Sequence, residues 1–457
     1  MSTTTSHTAN IRYTNIYFLG IGGIGMSALA RYFKAMGKTV AGYDKTKTDL
    51  TQTLEDLDIE IHYTDSVANI PKNYFNHHNT LVVYTPALPK DSRELAYFKN
   101  NGFDVLKRSE VLGLITKNTF SLAVAGTHGK TTTTSILGHL LRFCEVKLTA
   151  FLGGISENYN SNLILNGDEV SVIEADEFDR SFLTLSPDIA CITSMDADHL
   201  DIYGSKEALH ESFNDFAKRL KPEGVFLVKN GLPIDGLTYG VEDNSDYTAQ
   251  NVTIKQGSYH FDLKTPQETY AGFTFSLPGR HNLSNATVAL AMALKQGCNP
   301  EDLKKALADF KGVQRRFSYQ IKTDDLVYID DYAHHPEEIN AVHQAVREMY
   351  PDTSVTVVFQ PHLFSRTKDF GQEFADSLSK FDDILLLDIY PAREMPIEGI
   401  DSNWLLEMIK NPDKKVINKS DLVEEIKATK NKVILSLGAG DIGEQVKQIK
   451  KGLLNEN

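Results

Sequence analysis

The sequence predicts an α/β protein of three domains built on mainly parallel sheets. Three observations carry that prediction. Short apolar runs alternate with longer amphipathic stretches along almost the whole chain, the pattern of strands buried on both faces by covering helices. Glycine-rich loops follow three of those runs directly, as in strand–turn–helix units that hold phosphates. The chain has 457 residues, which at roughly 100–200 residues per domain is more than one core fills.

The runs 16–19, 81–84, 122–125, 170–173, 189–193, 225–228, 355–359, 384–387 and 433–437 read as buried strands. Stretches such as 135–143 and 336–349 carry the helical period. Changes of pattern place a first domain at 1–116, a second at 117–313 and a third at 314–457. The segment 238–275 is polar and strand-like, and reads as an added antiparallel piece of the second domain. Neither an internal repeat nor a low-complexity tract is present.

Composition narrows the function classes. Hydrophobic residues make up 41% and charged residues 24%, as in soluble globular proteins. No apolar run is long enough to span a bilayer, and residues 1–10 lack the basic-then-apolar pattern of a signal peptide. The expectation is a cytoplasmic protein with no membrane partner. A net charge of −14 argues against broad attraction to nucleic acid but leaves room for a small anion held by local donors. Cys144, Cys191 and Cys298 are scattered and read as buried apolar residues, with no disulfide framework or zinc site.

The first glycine loop, Gly20-Ile-Gly22-Gly23-Ile-Gly25, opens a helical stretch. Its glycines let backbone N–H groups approach a diphosphate at a helix N-terminus. Asp44 follows about 20 residues on, where an acid can bind a ribose hydroxyl. This defines a Rossmann-like N-terminal domain and by itself fits NAD as well as another nucleotide diphosphate. The second loop, Gly126-Thr127-His128-Gly129-Lys130-Thr131-Thr132, is the core of a P-loop. Backbone donors there hold phosphates, Lys130 neutralises the β and γ oxygens, and Thr131 offers a hydroxyl to magnesium. It is shorter than the standard motif, which places a glycine where Val124 stands. The third loop, Gly438-Ala-Gly440-Asp-Ile-Gly443, reads as close strand–helix packing beside the cleft.

Acids and bases cluster after the strands. Glu174, Asp176, Glu177 and Asp179 follow the 170–173 run. Glu174, the first of them, is the candidate second anchor for Mg²⁺. Asp196, Asp198, His199 and Asp201 follow the next strand, with His199 a candidate metal ligand. Asn282 and Asn285 open a helix. A contact to a base edge and a capping or packing role both fit these amides, and the residue types leave both open. Arg315 and Arg316 stand at the second domain junction, where an arginine suits phosphate clamping on closure and equally an interdomain ion pair. Asp330, Asp331, His334 and His335 end one strand, and His362 and Arg366 follow the next, which places them at the carboxyl edge of a sheet.

In combination these segments resemble the Mur ligases, three-domain enzymes that use ATP to form amide bonds. The shortened P-loop from Ala125, the segments Glu174 to Phe182, Asp196 to Asp201, Gly279 to Asn285 and Asp330 to Pro336 all match, in order, over nearly the whole chain. The glycine loop through Met26 and the segments Phe359 to Thr367 and Ile389 to Ile397 are most similar to the branch that adds L-alanine to UDP-N-acetylmuramate. The related ligase that attaches a recycled tripeptide to the same sugar nucleotide is the nearest alternative, with an NAD-dependent oxidoreductase further off. The resemblance implies a P-loop ATPase-type central domain, a Rossmann-like third domain, ATP and Mg²⁺. Lys130 would hold the transferring phosphoryl group, Thr131, Glu174 and His199 the metal, Asn282 adenine and Asp331 the ribose. Arg316 would reach the phosphates, His334 and Arg366 would position L-alanine, and Gly22, Gly23, Gly25 and Asp44 would serve the UDP-sugar. Leu363 stands where several relatives carry a second arginine, which leaves amino-acid recognition to Arg366; no lysine stands at Phe213–Asn214, where later-acting family members use a modified one, which fits the alanine-adding branch.

Overall fold

The computed structural model describes residues 11–196, 203, 205–255, 257–392 and 394–454. They form two compact units. The first comprises Met1–Thr253, His260–Phe275 and Ser284–Lys311, and the second Ile254–Tyr259, Ser276–Leu283 and Gly312–Asn457.

The first unit holds two sheets. Strands β1 (Asn15–Leu19), β2 (Thr39–Tyr43), β3 (Glu60–His62), β4 (Thr80–Tyr84) and β5 (Asp104–Lys107) form a sheet of order β3-β2-β1-β4-β5. Every pair in it is parallel. Its central strand is apolar from Ile16 on and buried on both faces: Ile16, Tyr17, Phe18 and Leu19 have no exposed surface.

The larger sheet contains β6 (Phe120–Ala125), β7 (Leu148–Ser156), β8 (Ser161–Leu165), β9 (Val170–Glu174), β10 (Ile189–Ile192), β11 (Val225–Lys229), β12 (Leu237–Val241), β13 (Tyr247–Lys255), β14 (Ser258–Lys264) and β15 (Thr269–Phe275). Their order is β15-β14-β13-β12-β11-β10-β6-β9-β7-β8. Strand β6 lies between β9 and β10, parallel to both. Its carboxyl end therefore meets theirs, and the loops after all three converge. The segment read as an antiparallel addition is indeed strand-rich, but β12 pairs in parallel with both β11 and β13.

The helix Ile24–Ala35 packs on β7 and β8. Tyr32 meets Phe151 edge-on with centroids 5.3 Å apart. The Asn162 amide donates to the Ile24 carbonyl at 2.6 Å and to Ser27 Oγ at 2.8 Å. Apolar contact excludes water while the buried amide finds partners, so the two sheets share one core.

The second unit carries β16 (Ser318–Lys322), β17 (Val327–Asp331), β18 (Val355–Phe359), β19 (Asp383–Leu386), β20 (Lys414–Val416) and β21 (Val433–Leu437) in the order β16-β17-β21-β18-β19-β20. Only β16 runs antiparallel to its neighbour. Strands β17, β18 and β21 are adjacent, which brings the loops after Asp331, Phe359 and Leu437 to one edge. Among the described residues, no helix is long and apolar enough to cross a membrane.

Candidate active site

The P-loop is shaped by backbone that only glycine tolerates well. Gly126 has φ 131° and Gly129 φ 82°. A Cβ on Gly126 would lie 2.2 Å from Thr193 Oγ1 and 2.8 Å from the Ser194 nitrogen, and one on Gly129 would lie 2.7 Å from Asn285 Oδ1. Gly129 then caps the helix Lys130–Phe143 with no side-chain hydrogen bond, so its first N–H groups remain oriented for an anion. Side chains brace the turn from the β10 side. The His128 N–H donates to Ser194 Oγ at 2.7 Å, and Thr127 Oγ1 accepts from the Asp196 N–H at 3.1 Å.

Lys130 is buried among acceptors. Its Nζ donates to the Gly126 carbonyl at 2.6 Å and to Glu177 Oε1 at 2.9 Å, and it pairs with Glu177 Oε2 at 2.7 Å. Burial alone would lower its pKa, but Glu177, Asp176 and Glu174 outweigh that and hold it above the ordinary lysine value. A charged ammonium at the start of a P-loop helix is thus maintained by carboxylates from the neighbouring strand. The sequence pattern singled out Glu174 and gave Glu177 no role, yet Glu177 has no exposed surface. Its spacing from Glu174 was visible, but the turn that swings it back to Lys130 was not.

Thr131 Oγ1 donates to Glu174 Oε1 at 2.9 Å, so the two sequence-predicted metal anchors stand together. Glu174 ends β9 against β7, and a Cβ on Gly153 would fall 2.1 Å from Glu174 Oε2. The glycine is what makes room for the carboxylate. A hydroxyl and a carboxylate beside a phosphate loop suit Mg²⁺, a hard cation that takes few protein ligands and shares phosphate oxygens. No group of three or more His, Cys, Asp or Glu gathers as a metal cluster among the described residues. His199 lies outside those residues.

At the N-terminal sheet, the first glycine loop turns on Gly20 and Ile21, whose N–H groups donate to the Tyr43 carbonyl. Asp44 accepts from the Gly22 N–H at 2.7 Å and from the Thr46 N–H at 3.1 Å, which ties the predicted ribose-binding acid to the loop. Gly23 caps the next helix without a side-chain partner. Arg108, absent from the sequence reading, covers Gly25: a Cβ there would lie 2.2 Å from its guanidinium. The same guanidinium is 3.8 Å from Asp176. Gly23, Gly25, Arg108, Phe151, Glu174 and Asp176 line one cleft of about 280 Å³. The first glycine loop and the Glu174 carboxylate therefore face a shared space.

In the second unit, Asp331 accepts from the Phe317 N–H at 2.6 Å and the Ala333 N–H at 2.7 Å, and burial raises its pKa to about 6. Arg315 is consumed by structure: its Nε meets Asp330 at 3.2 Å, it donates to the Gly438 carbonyl at 2.5 Å, and it packs against Gly443. Gly440 packs against Gln360 and Tyr390. The third glycine loop is thus a packing device here. Arg316 lies over the Tyr332 ring, 5.1 Å from its centroid. Asn282 donates back to the Pro278 carbonyl at 2.6 Å.

His334, His362 and Arg366 form a cluster after β17 and β18. The two imidazoles are 6.1 Å apart by centroid, and an Arg366 nitrogen is 3.5 Å from His362 Nδ1. Burial lowers the pKa of His334. Burial and then the charges of His334 and Arg366 lower that of His362 to about 4. Neutral imidazoles beside a fixed guanidinium suit a carboxylate ligand. Leu363, between them, has φ 72°, a conformation that costs a non-glycine residue about 1–3 kcal/mol and concentrates at functional sites.

A P-loop, a hydroxyl–carboxylate pair beside it and a separate glycine loop at a helix N-terminus are the features of an enzyme of nucleotide chemistry. Comparison with known proteins agrees: the chain belongs to the Mur ligase family. It matches the family's catalytic domain over residues 15–119, its middle domain over 124–293 and its glutamate ligase domain over 315–440. The UDP-N-acetylmuramate–L-alanine ligase of Christiangramia forsetii is 61% identical over 97% of this chain and 98% of its own. A crystal structure of the UDP-N-acetylmuramate–alanine ligase of Thermotoga maritima superposes with a TM-score of 0.81 at 26% identity, over 97% of this chain and all of that one. A murein peptide ligase of Psychrobacter arcticus shares the fold, with a TM-score of 0.70 at 22% identity over 97% of this chain and 99% of its own.

Proposed function

We propose that this protein joins L-alanine to the lactyl carboxylate of UDP-N-acetylmuramate, with ATP hydrolysed to ADP and phosphate. The observation that carries this reading is the single cleft walled by the glycine loop and by Glu174, itself hydrogen-bonded to Thr131 of the P-loop. A substrate with a nucleotide diphosphate at one end and a carboxylate to be activated at the other needs that arrangement.

A carboxylate does not accept an amine at neutral pH, so phosphorylation supplies the leaving group. A carboxylate oxygen attacks the γ-phosphorus of ATP and the bond to the β–γ bridging oxygen breaks, giving an acyl phosphate and ADP. The alanine amine then attacks the acyl carbon, loses a proton, and phosphate leaves. Lys130 shifts from Glu177 to the γ-phosphoryl oxygens and neutralises the charge that builds there. Thr131 and Glu174, with His199, would hold Mg²⁺, which when bound supplies charge neutralisation at the phosphates. Gly22, Gly23 and Gly25 present backbone to the UDP diphosphate, and Arg108 adds a guanidinium to it. Asp44 keeps that loop in shape. Asn282 and Asp331 serve the adenosine. Arg316 serves the phosphates. Arg366 pairs with the alanine carboxylate, and His334, held neutral, orients it.

The test offers L-alanine and the recycled tripeptide in parallel, with UDP-N-acetylmuramate and Mg·ATP, and weighs the product. A mass gain of one alanine residue supports the proposal. Turnover with the tripeptide alone would move the protein to the recycling branch.

A further inference from the structure

The segment 389–397, singled out by its sequence, takes no part in the proposed chemistry. It follows β19, which lies beside β18 in the sheet, so the loops after the two strands are neighbours. Their backbones are knitted together. The Tyr390 N–H donates to the Pro361 carbonyl and the Leu363 N–H donates to the Tyr390 carbonyl, both at 2.9 Å. The Tyr390 ring stacks on His362, with centroids 5.7 Å and planes 20° apart. A Cβ on Gly440 would lie 2.8 Å from Tyr390 Cβ, so the third glycine loop packs directly on this residue.

The helix Phe364–Asp369, which carries Arg366, has no cap of its own. The first N–H groups of a helix find no partner within it, and a Ser, Thr, Asp or Asn at the N-cap normally supplies one. Here the N-cap is Leu363, which offers no side-chain acceptor. Six residues are also too few to hold a helix by propensity, so its placement depends on what grips its ends. Glu394 supplies the grip from 29 residues away. Its Oε2 accepts from the Ser365 N–H at 3.0 Å, and its Oε1 accepts from the Ser365 hydroxyl. A turn brings the carboxylate there, with the Glu394 N–H donating to the Pro391 carbonyl at 2.9 Å. One glutamate thus holds both polar donors of the residue next to Arg366. In the loop after β17, Glu338 does the corresponding work for His334, accepting from its N–H at 2.9 Å.

We propose that Glu394 is a positioning residue for amino-acid recognition: by capping the helix Phe364–Asp369 it fixes where the Arg366 guanidinium stands against the incoming carboxylate. This rests on the reading that Arg366 pairs with the carboxylate of L-alanine. Glu394 acts through Ser365 and does not touch substrate. The segment 389–397 is then the element that tunes the amino-acid site, through a carboxylate at one end and the Tyr390–His362 stack at the other.

The experiment compares Glu394→Ala, Glu394→Gln and Ser365→Ala with the wild-type protein by steady-state kinetics, each substrate varied at saturating levels of the others. Glu394→Ala is expected to raise KM for L-alanine by ~10-fold or more, since a displacement of about 1 Å in a positioning group can cost more than that. KM for ATP, KM for the UDP-sugar and kcat at saturating L-alanine stay within ~2-fold. Glu394→Gln keeps an acceptor for the Ser365 N–H and recovers most of the loss. Ser365→Ala keeps the backbone donor and raises the same KM by less. Phenylglyoxal labelling of the substrate-free protein, mapped by mass, is the second readout. Arg366 reacts severalfold faster in Glu394→Ala, while Arg347, bound to Asp382, is unchanged. An unaltered KM for L-alanine, a parallel rise in all three KM values, a glutamine variant as impaired as the alanine variant, or unaltered Arg366 labelling would each overturn the proposal. The ligase reading fails separately, when the wild-type protein does not turn over L-alanine, and the labelling then still decides whether Glu394 places Arg366.

Discussion

Lys130 illustrates how a single charge is kept ready at the residue scale. Its buried partner Glu177 makes the ammonium permanent, and the pair is mutually dependent. Removing one member of a buried pair costs about 3–5 kcal/mol, because the other charge is left behind. Lys130→Ala is therefore expected to lose ligase activity by ~10²–10³-fold and also to lower the unfolding midpoint. The double variant Lys130→Ala/Glu177→Gln should recover the midpoint without recovering activity. Thermal unfolding and phosphate release on the same samples separate the two effects. Equal recovery of both would show that Lys130 acts only through stability.

A second buried acid makes a prediction about pH. Glu94 has no exposed surface, accepts from Tyr17 at 2.8 Å and from the Ser66 N–H at 3.0 Å, and lies 3.5 Å from His62. Burial raises Glu94 to about 7 and lowers His62, so at neutral pH their contact is weaker than a fully charged ion pair. The folded form of Glu94 binds its proton more tightly than the unfolded chain. Its contribution is present below about 4.5 and is lost as pH rises through about 7. His62 contributes the opposite slope, rising toward 6.5. Glu94→Gln should thus gain roughly 2–3 kcal/mol relative to wild type between those limits. Denaturant unfolding of both proteins at pH 4.5 and 7.5 checks it, and a pH-independent difference would contradict the assignment.

At the element scale, the site is made by strand ends rather than by any one helix. Strands β6, β9 and β10 deliver the P-loop, Glu174 and Asp196 to one edge because they are neighbours in the sheet. Gly126→Ala tests that edge. A Cβ there strikes Thr193 and the Ser194 backbone in a conformation that alanine resists, so the β6 turn must open. A rise in KM for ATP of ~10-fold or more is expected, with little change in KM for the UDP-sugar, by steady-state kinetics.

Much of this edge was legible beforehand. Lys130, Thr131 and Glu174 were readable because a strand, a turn glycine and an acid at a strand end are local signals. Glu177, Arg108 and Gly153 were not. Their contributions depend on chain reversal and on which strand lies beside which, and no local pattern records either. Arg315 and Arg316 are adjacent in sequence and both guanidiniums lie over the Tyr332 ring, but Arg315 is also tied to Asp330 and to the Gly438 carbonyl.

For the whole molecule, the account rests on a division of labour. One unit holds a diphosphate loop, a P-loop and a metal-type carboxylate, and the other holds an arginine–histidine cluster suited to a small amino acid. The alternation of strands and helices announced this α/β architecture, while the parallel β12–β13 pairing escaped it because a short polar strand carries no directional signal. The central claim is that the muramate carboxylate is activated as an acyl phosphate. UDP-N-acetylmuramate with both carboxylate oxygens replaced by heavy-isotope oxygen tests it directly, by mass analysis of the phosphate and amide products after incubation with Mg·ATP and L-alanine. The account predicts phosphate release only when both substrates are present, with one labelled oxygen in the phosphate and one in the new amide. Amide product whose accompanying phosphate carries no label would contradict it.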